Sequence, residues 1–109
     1  MPAPTLESLE KLRGTPRDGA LLRYSLGLEY AKAGSRDRAI AELREAVARD
    51  AGYSAAWKAL GRALADDGQR EEALAAFARG IEAARAKGDR QAEKEMAVFA
   101  RRLEKQRGA

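Results

Sequence analysis

Asp66, Asp67, Glu71 and Glu72 form the densest carboxylate cluster in the chain. Oxygen ligands of this kind suit Ca2+ or Mg2+, but the alternating ligand spacing of a calcium loop is missing. Asp66 and Asp67 fall on a turn between two helical stretches. Glu71 and Glu72 fall in a first helical turn, where the macrodipole favours acid. No metal is expected there. The available hydroxyls are Thr5, Ser8, Thr15, Ser25, Ser35 and Ser54, with Tyr24, Tyr30 and Tyr53. With no histidine in the chain, none of them has the usual activating base. Cysteine is absent, which removes thiolate ligands and disulfides. The stretch GLEYAKAG, residues 27–34, lacks the glycine, lysine and hydroxyl spacing of a phosphate loop. This inventory predicts a non-enzyme with no cofactor.

The remaining chemistry is charge. The net charge is +4, and residues 1–84 carry 13 basic and 13 acidic side chains, which cancel. The excess lies in residues 85–109, ending FARRLEKQRGA. Such a tail could neutralise phosphates. Glu93, Glu95 and Glu104 interrupt it, and no aromatic side chains interleave with the arginines to stack bases. A basic last turn also suits the helix dipole. Nucleic acid is therefore a subordinate alternative.

The elements that would position these charges are helices. Alanine, leucine, glutamate and arginine dominate, and the β-branched residues are few: Thr5, Thr15, Ile40, Val47, Ile81 and Val98. The longest apolar run, Ala73 to Ala78, falls far short of the ~20 residues a membrane helix needs. No basic segment followed by an apolar run opens the chain. A cytoplasmic protein with no membrane partner is expected.

An offset of 34 residues aligns the chain with itself: Leu26 on Leu60, Gly27 on Gly61, Gly34 on Gly68, Ala39 on Ala73 and Leu43 on Phe77. A fixed period of this length marks stacked repeats. Each unit reads as two helices. Leu22, Leu26, Tyr30 and Ala33 stripe the first helix of unit one, and Ala39, Ile40, Leu43, Ala46 and Val47 stripe its second. In unit two the stripes are Ala56, Trp57, Leu60 and Leu64, then Ala73, Leu74, Phe77, Ile81 and Ala84. Gly34, Gly52 and Gly68 are the expected stops, and Ser35 and Ser54 the expected N-caps. Gly27 and Gly61 sit inside helices, at a cost of ~1 kcal/mol each relative to alanine. That recurrence predicts a close helix approach, with Ala39 and Ala73 as the opposing surface.

Two helices flank the repeats. Residues 5–13 place Leu6, Leu9 and Leu12 on one face, capped by Thr5, and Asp18 is a candidate cap for the helix that follows. Asp89 caps a final helix reaching Gln106, striped by Ala92, Met96, Phe99 and Leu103. Phe99 and Leu103 suit either a cap on the last hairpin or a dimer surface.

The repeated segments resemble the tetratricopeptide repeat family, whose signature is W-x2-L-G-x2-Y, then A-x3-F, then P. Unit two gives Trp57-x2-Leu60-Gly61-x2-Leu64 and Ala73-x3-Phe77. Unit one gives Arg23-x2-Leu26-Gly27-x2-Tyr30 and Ala39-x3-Leu43. Arg23 stands where the signature has tryptophan, and Ala51 where it has proline. The resemblance implies one all-α domain over residues 1–109, a solenoid of two helix-turn-helix hairpins. They would occupy residues 20–52 and 54–87, with a short helix at 5–13 before them and a capping helix at 89–106 after them. It also implies a concave groove that grips a peptide or helix of another protein. By position its lining would be Leu21, Tyr24, Ser25, Leu28 and Lys32, then Ala55, Lys58, Ala59 and Arg62, with Arg90, Lys94 and Arg101 added by the final helix. Apolar and cationic strips side by side suit an acidic partner. The chain has no asparagine, which argues against the lysine–asparagine clamp that some members use on chaperone tails. Self-association as a weak homodimer or assembly subunit is the main alternative to a monomeric adaptor, ahead of weak nucleic-acid binding through the C-terminal helix.

Overall fold

The computed structural model describes residues 5–106. Residues 1–4 and 107–109, which include Arg107 of the basic tail and the opening of the chain read for a leader pattern, lie outside them. The described residues form helices α1 (Leu6–Glu10), α2 (Ala20–Lys32), α3 (Arg36–Arg49), α4 (Ser54–Asp66), α5 (Arg70–Ala86) and α6 (Arg90–Gln106), with no strand among them. No helix is long and apolar enough to cross a membrane. Helices α2 with α3 and α4 with α5 pack as hairpins, α3 leans on α4, and α6 lies along α5. This is an all-α solenoid.

The turns inside the hairpins follow from glycine. Gly34 and Gly68 adopt φ of +80° and +77°, a region other L-residues avoid. The Ser35 and Gln69 N–H groups then reach back to the Tyr30 and Leu64 carbonyls at 2.9 Å, closing Schellman turns. Gly88 (φ +72°) repeats the turn before α6. Gly52 does not have this role. Its φ is not positive, and Asp50 Oδ1 instead accepts its N–H at 3.0 Å.

Capping differs in detail from the sequence reading. Thr5 and Ser8 form a reciprocal capping box, but α1 ends at Glu10 rather than at residue 13. Asp89 Oδ1 accepts the Ala92 N–H at 3.0 Å and caps α6. Ser35 holds the N-cap position of α3 without a side-chain hydrogen bond. Ser54 is the first residue of α4, and Tyr53 is its N-cap. Asp18 caps nothing: Gly19 is the N-cap of α2, and Asp18 accepts the Gly14 N–H at 2.9 Å instead. Ala33, placed on the stripe of α2, is its exposed C-cap.

The residues expected to pack the repeats are buried: Leu26, Gly27, Tyr30, Ala39 and Leu43 in the first hairpin, and Trp57, Leu60, Gly61, Leu64, Ala73 and Phe77 in the second. The glycine contact is close, but side chains larger than alanine fill it. A Cβ on Gly27 would lie 2.6 Å from Leu43 Cγ, and one on Gly61 would lie 2.5 Å from Phe77 Cε1. The nearest Ala39 atom to such a Cβ on Gly27 is its carbonyl oxygen, at 3.4 Å, farther off than the Leu43 side chain. A third glycine joins them: the space beside Gly80 is filled by Met96 and by Trp57 Cβ at 2.7 Å. Phe99 stacks on Phe77 with ring centroids 5.7 Å apart, so it faces the hairpin, and Leu103 packs against the same core.

A charged network fastens the N-terminal end. Glu42 of α3 is buried and paired with both Arg13 and Arg23. Arg23 also grips Asp18 at 2.8 Å, and Glu10 pairs with Arg13 and accepts the Tyr30 hydroxyl. The Arg23 hydrogen bond, and then the Gly14 amide, hold the Asp18 carboxyl well below the usual carboxylate range. Hydrogen bonds from Arg13 and then Tyr30 lower Glu10. The folded chain therefore binds fewer protons at these sites than the unfolded chain. Their contribution is complete above the unfolded values, about 3.9 for aspartate and 4.3 for glutamate, and fades as pH falls. On acidification below about pH 4, α1 is expected to detach first. Hydrogen exchange at Leu9 should accelerate while Trp57 fluorescence, which reports the second hairpin, stays unchanged. Simultaneous loss of both signals would rule out a local latch.

Candidate interaction groove

Helices α2 and α4 run side by side and leave a depression of about 330 Å3 between them. Its lining includes Tyr24, Leu28 and Lys32 from α2 and Ala55, Lys58, Ala59 and Arg62 from α4. These residues share a side because each set recurs at three- and four-residue steps on a helix whose opposite stripe, Leu26 or Leu60, is buried. Leu43 reaches the floor from α3, and Ala31, Ala63 and Asp66 complete it. Asp66 was legible in the repeat: the offset that carries Leu28 to Arg62 also carries Lys32 to Asp66. Leu21 and Ser25 do not line the depression; Leu21 lies on α2 and is 68% exposed.

Tyr24 is held by a residue that the sequence reading left out. Its ring lies 5.0 Å from that of Tyr53, in the α3–α4 connection, tilted by 44°. Burial first, then Tyr24 and Asp50, pushes the Tyr53 hydroxyl above its ordinary value, so it stays neutral.

The third wall differs from the expected one. Arg90, Lys94 and Arg101 do not line the depression: Arg90 and Lys94 lie beside Arg85 and Glu93, and Arg101 beside Val98. The cause is the rotation of α6. Met96 is fully buried against Gly80, so Lys94 and Arg101 fall on the opposite side of the helix. Glu95 and Phe99 face α4 instead. Glu95 pairs with Lys58 at 3.2 Å, and the Arg62 guanidinium lies 5.1 Å from the centre of the Phe99 ring. Both groove cations are thus held in place from one side, and Lys32 rests at 3.3 Å on Glu29. Among the described residues no group of carboxylates converges on a metal position. Glu72 is paired with Arg44, and Asp67 accepts from Gln69 at 2.7 Å.

No family model matches the sequence. A Pseudomonas aeruginosa protein described as TPR repeat-containing is 44% identical over 102 residues, which cover 94% of this chain and 97% of the relative. The chain belongs to the tetratricopeptide repeat family. The solution structure of a Bordetella parapertussis protein matches 97% of this chain and 91% of its own length, with a TM-score of 0.80 and 42% identity. A tetratricopeptide repeat domain protein from Salinibacter ruber matches 80% of this chain and 88% of its own, with a TM-score of 0.75 and 28% identity. Tetratricopeptide repeats generally mediate binding between proteins and are generally non-catalytic. The helix-turn-helix spacing that gives them their curvature is the geometry that opens the α2–α4 depression.

Proposed function

We propose that this tetratricopeptide protein is an adaptor that holds an acidic segment of another protein in the α2–α4 groove, without turnover. The observation that carries the reading is the pairing of an apolar floor with preset cations. Tyr24, Leu28, Ala55 and Ala59 offer apolar surface, while Lys58 and Arg62 stand on its edge, braced by Glu95 and Phe99. An apolar anchor from the partner covers the floor, and its carboxylates meet Lys32, Lys58 and Arg62. Bracing reduces the side-chain entropy lost when the partner binds.

Lys58→Glu combined with Arg62→Glu is expected to abolish capture of the partner. Lys58 is 32% exposed and Arg62 is exposed, and each makes one contact to α6, so losing the Glu95 pair and the Phe99 contact should cost the fold about 1–2 kcal/mol. The check is affinity capture from the native cell alongside circular dichroism. Capture that survives the double reversal in a folded protein would remove the groove from consideration.

A further inference from the structure

We infer that the outer face of α6 is a second docking surface, for an acidic protein segment with an apolar residue at its centre. Arg90, Lys94, Val98, Arg101, Arg102 and Lys105 follow one another at helical steps on the side opposite buried Met96, and all six are exposed. The stripe runs for about 22 Å at 1.5 Å per residue. Two of the three acids of α6 are engaged by neighbouring helices, Glu93 with Arg85 at 3.0 Å and Glu95 with Lys58 at 3.2 Å, while Glu104 is exposed beside the C-terminal end of the stripe. None of the five cations has an ion-pair partner among the described residues.

The helix dipole accounts for only part of this arrangement. It favours Arg101, Arg102 and Lys105 near the C-terminus, but disfavours Arg90 and Lys94 in the first turns. Like charges at four-residue spacing, Arg90 with Lys94 and Arg101 with Lys105, weaken the helix further. A bound polyanion relieves both costs.

The centre of the stripe selects the kind of polyanion. Val98 is 38% exposed, and it shares a shallow depression of about 240 Å3 with Arg101, Arg102 and Lys105. A phosphate backbone has no apolar group for that position, and no aromatic ring stands on the stripe for a base. An acidic polypeptide supplies both parts: carboxylates for the guanidinium and ammonium groups, and one aliphatic side chain for Val98. This surface does not depend on the α2–α4 groove.

The test is an NMR titration of the isotope-labelled full chain at low ionic strength. The probes are a synthetic polyglutamate peptide with one central leucine, the same peptide with glycine there, duplex DNA, and vesicles of phosphatidylcholine with phosphatidylserine. The leucine peptide is expected to shift the amides from Lys94 to Lys105. The glycine peptide should bind about tenfold more weakly, the loss of one buried apolar contact. Arg101→Glu with Arg102→Glu should abolish the shifts, and Lys32→Glu, a groove reversal on α2 whose partner is Glu29 and not α6, should leave them in place. Equal binding of the two peptides, tighter binding of DNA or vesicles, shifts centred on α2 and α4, or no shifts at all would each overturn the inference.

Discussion

Phe77→Ala should lower stability by about 3–5 kcal/mol, the range for truncating a fully buried aromatic side chain. Phe77 is 1% exposed and ties three helices together. Its ring fills the space where Gly61 of α4 has no side chain, and its other face stacks on Phe99 of α6, with the planes 9° apart. Helical neighbours cannot close the void, because Gly61 contributes no atoms to it. The loss should therefore include a cavity term as well as the transfer term. Chemical denaturation followed by Trp57 fluorescence measures it. Val98→Ala is the companion variant, and its exposed site should keep the change within about 0.5 kcal/mol. A Phe77→Ala loss no larger than that would mean the α4–α5–α6 junction is not the centre of stability.

The same junction shows how far the sequence could be read. The 34-residue offset revealed Gly27 and Gly61 because they repeat. Gly80 has no such counterpart, since the offset pairs it with Ala46, and its contact with Met96 comes from an element outside the repeats. The groove residues on α2 and α4 were legible for the same reason as the core: both stripes obey one helical period, and burial of one side defines the other. The packed stripe of α6, Ala92, Met96, Phe99 and Leu103, was legible, and its helical period already turns Lys94 and Arg101 away from the core. What the pattern did not show is that Met96 enters the space beside Gly80 and that Glu95, one residue on from Lys94, meets α4. Turn chemistry was also beyond the pattern. Asp18 has the residue type of a cap, yet its carboxylate is taken by Arg23, five residues on, and by Arg49, 31 residues on.

Arg23 raises the sharpest question, because it stands where the family signature has tryptophan. In the second hairpin, Trp57 is 9% exposed and its indole N–H donates to the Ala51 carbonyl at 2.8 Å. The residue at the position of Glu42 there is Ala76, so an apolar pair in one hairpin corresponds to an ion pair in the other. Arg23→Ala leaves Glu42, 8% exposed, with Arg13 as its remaining partner. Removing one member of a buried pair costs ~3–5 kcal/mol, and retention of Arg13 should hold this case to about 2–3 kcal/mol. The double change Arg23→Met with Glu42→Leu removes both charges and keeps the volume. It should recover most of the loss, because desolvating two ions offsets much of what their attraction returns. Equilibrium denaturation of Arg23→Met, Glu42→Leu and the double variant gives the coupling. If the double variant is as unstable as the sum of the singles, the ion pair is not a substitute for the apolar pair. The network would then have to act through Asp18 and the docking of α1.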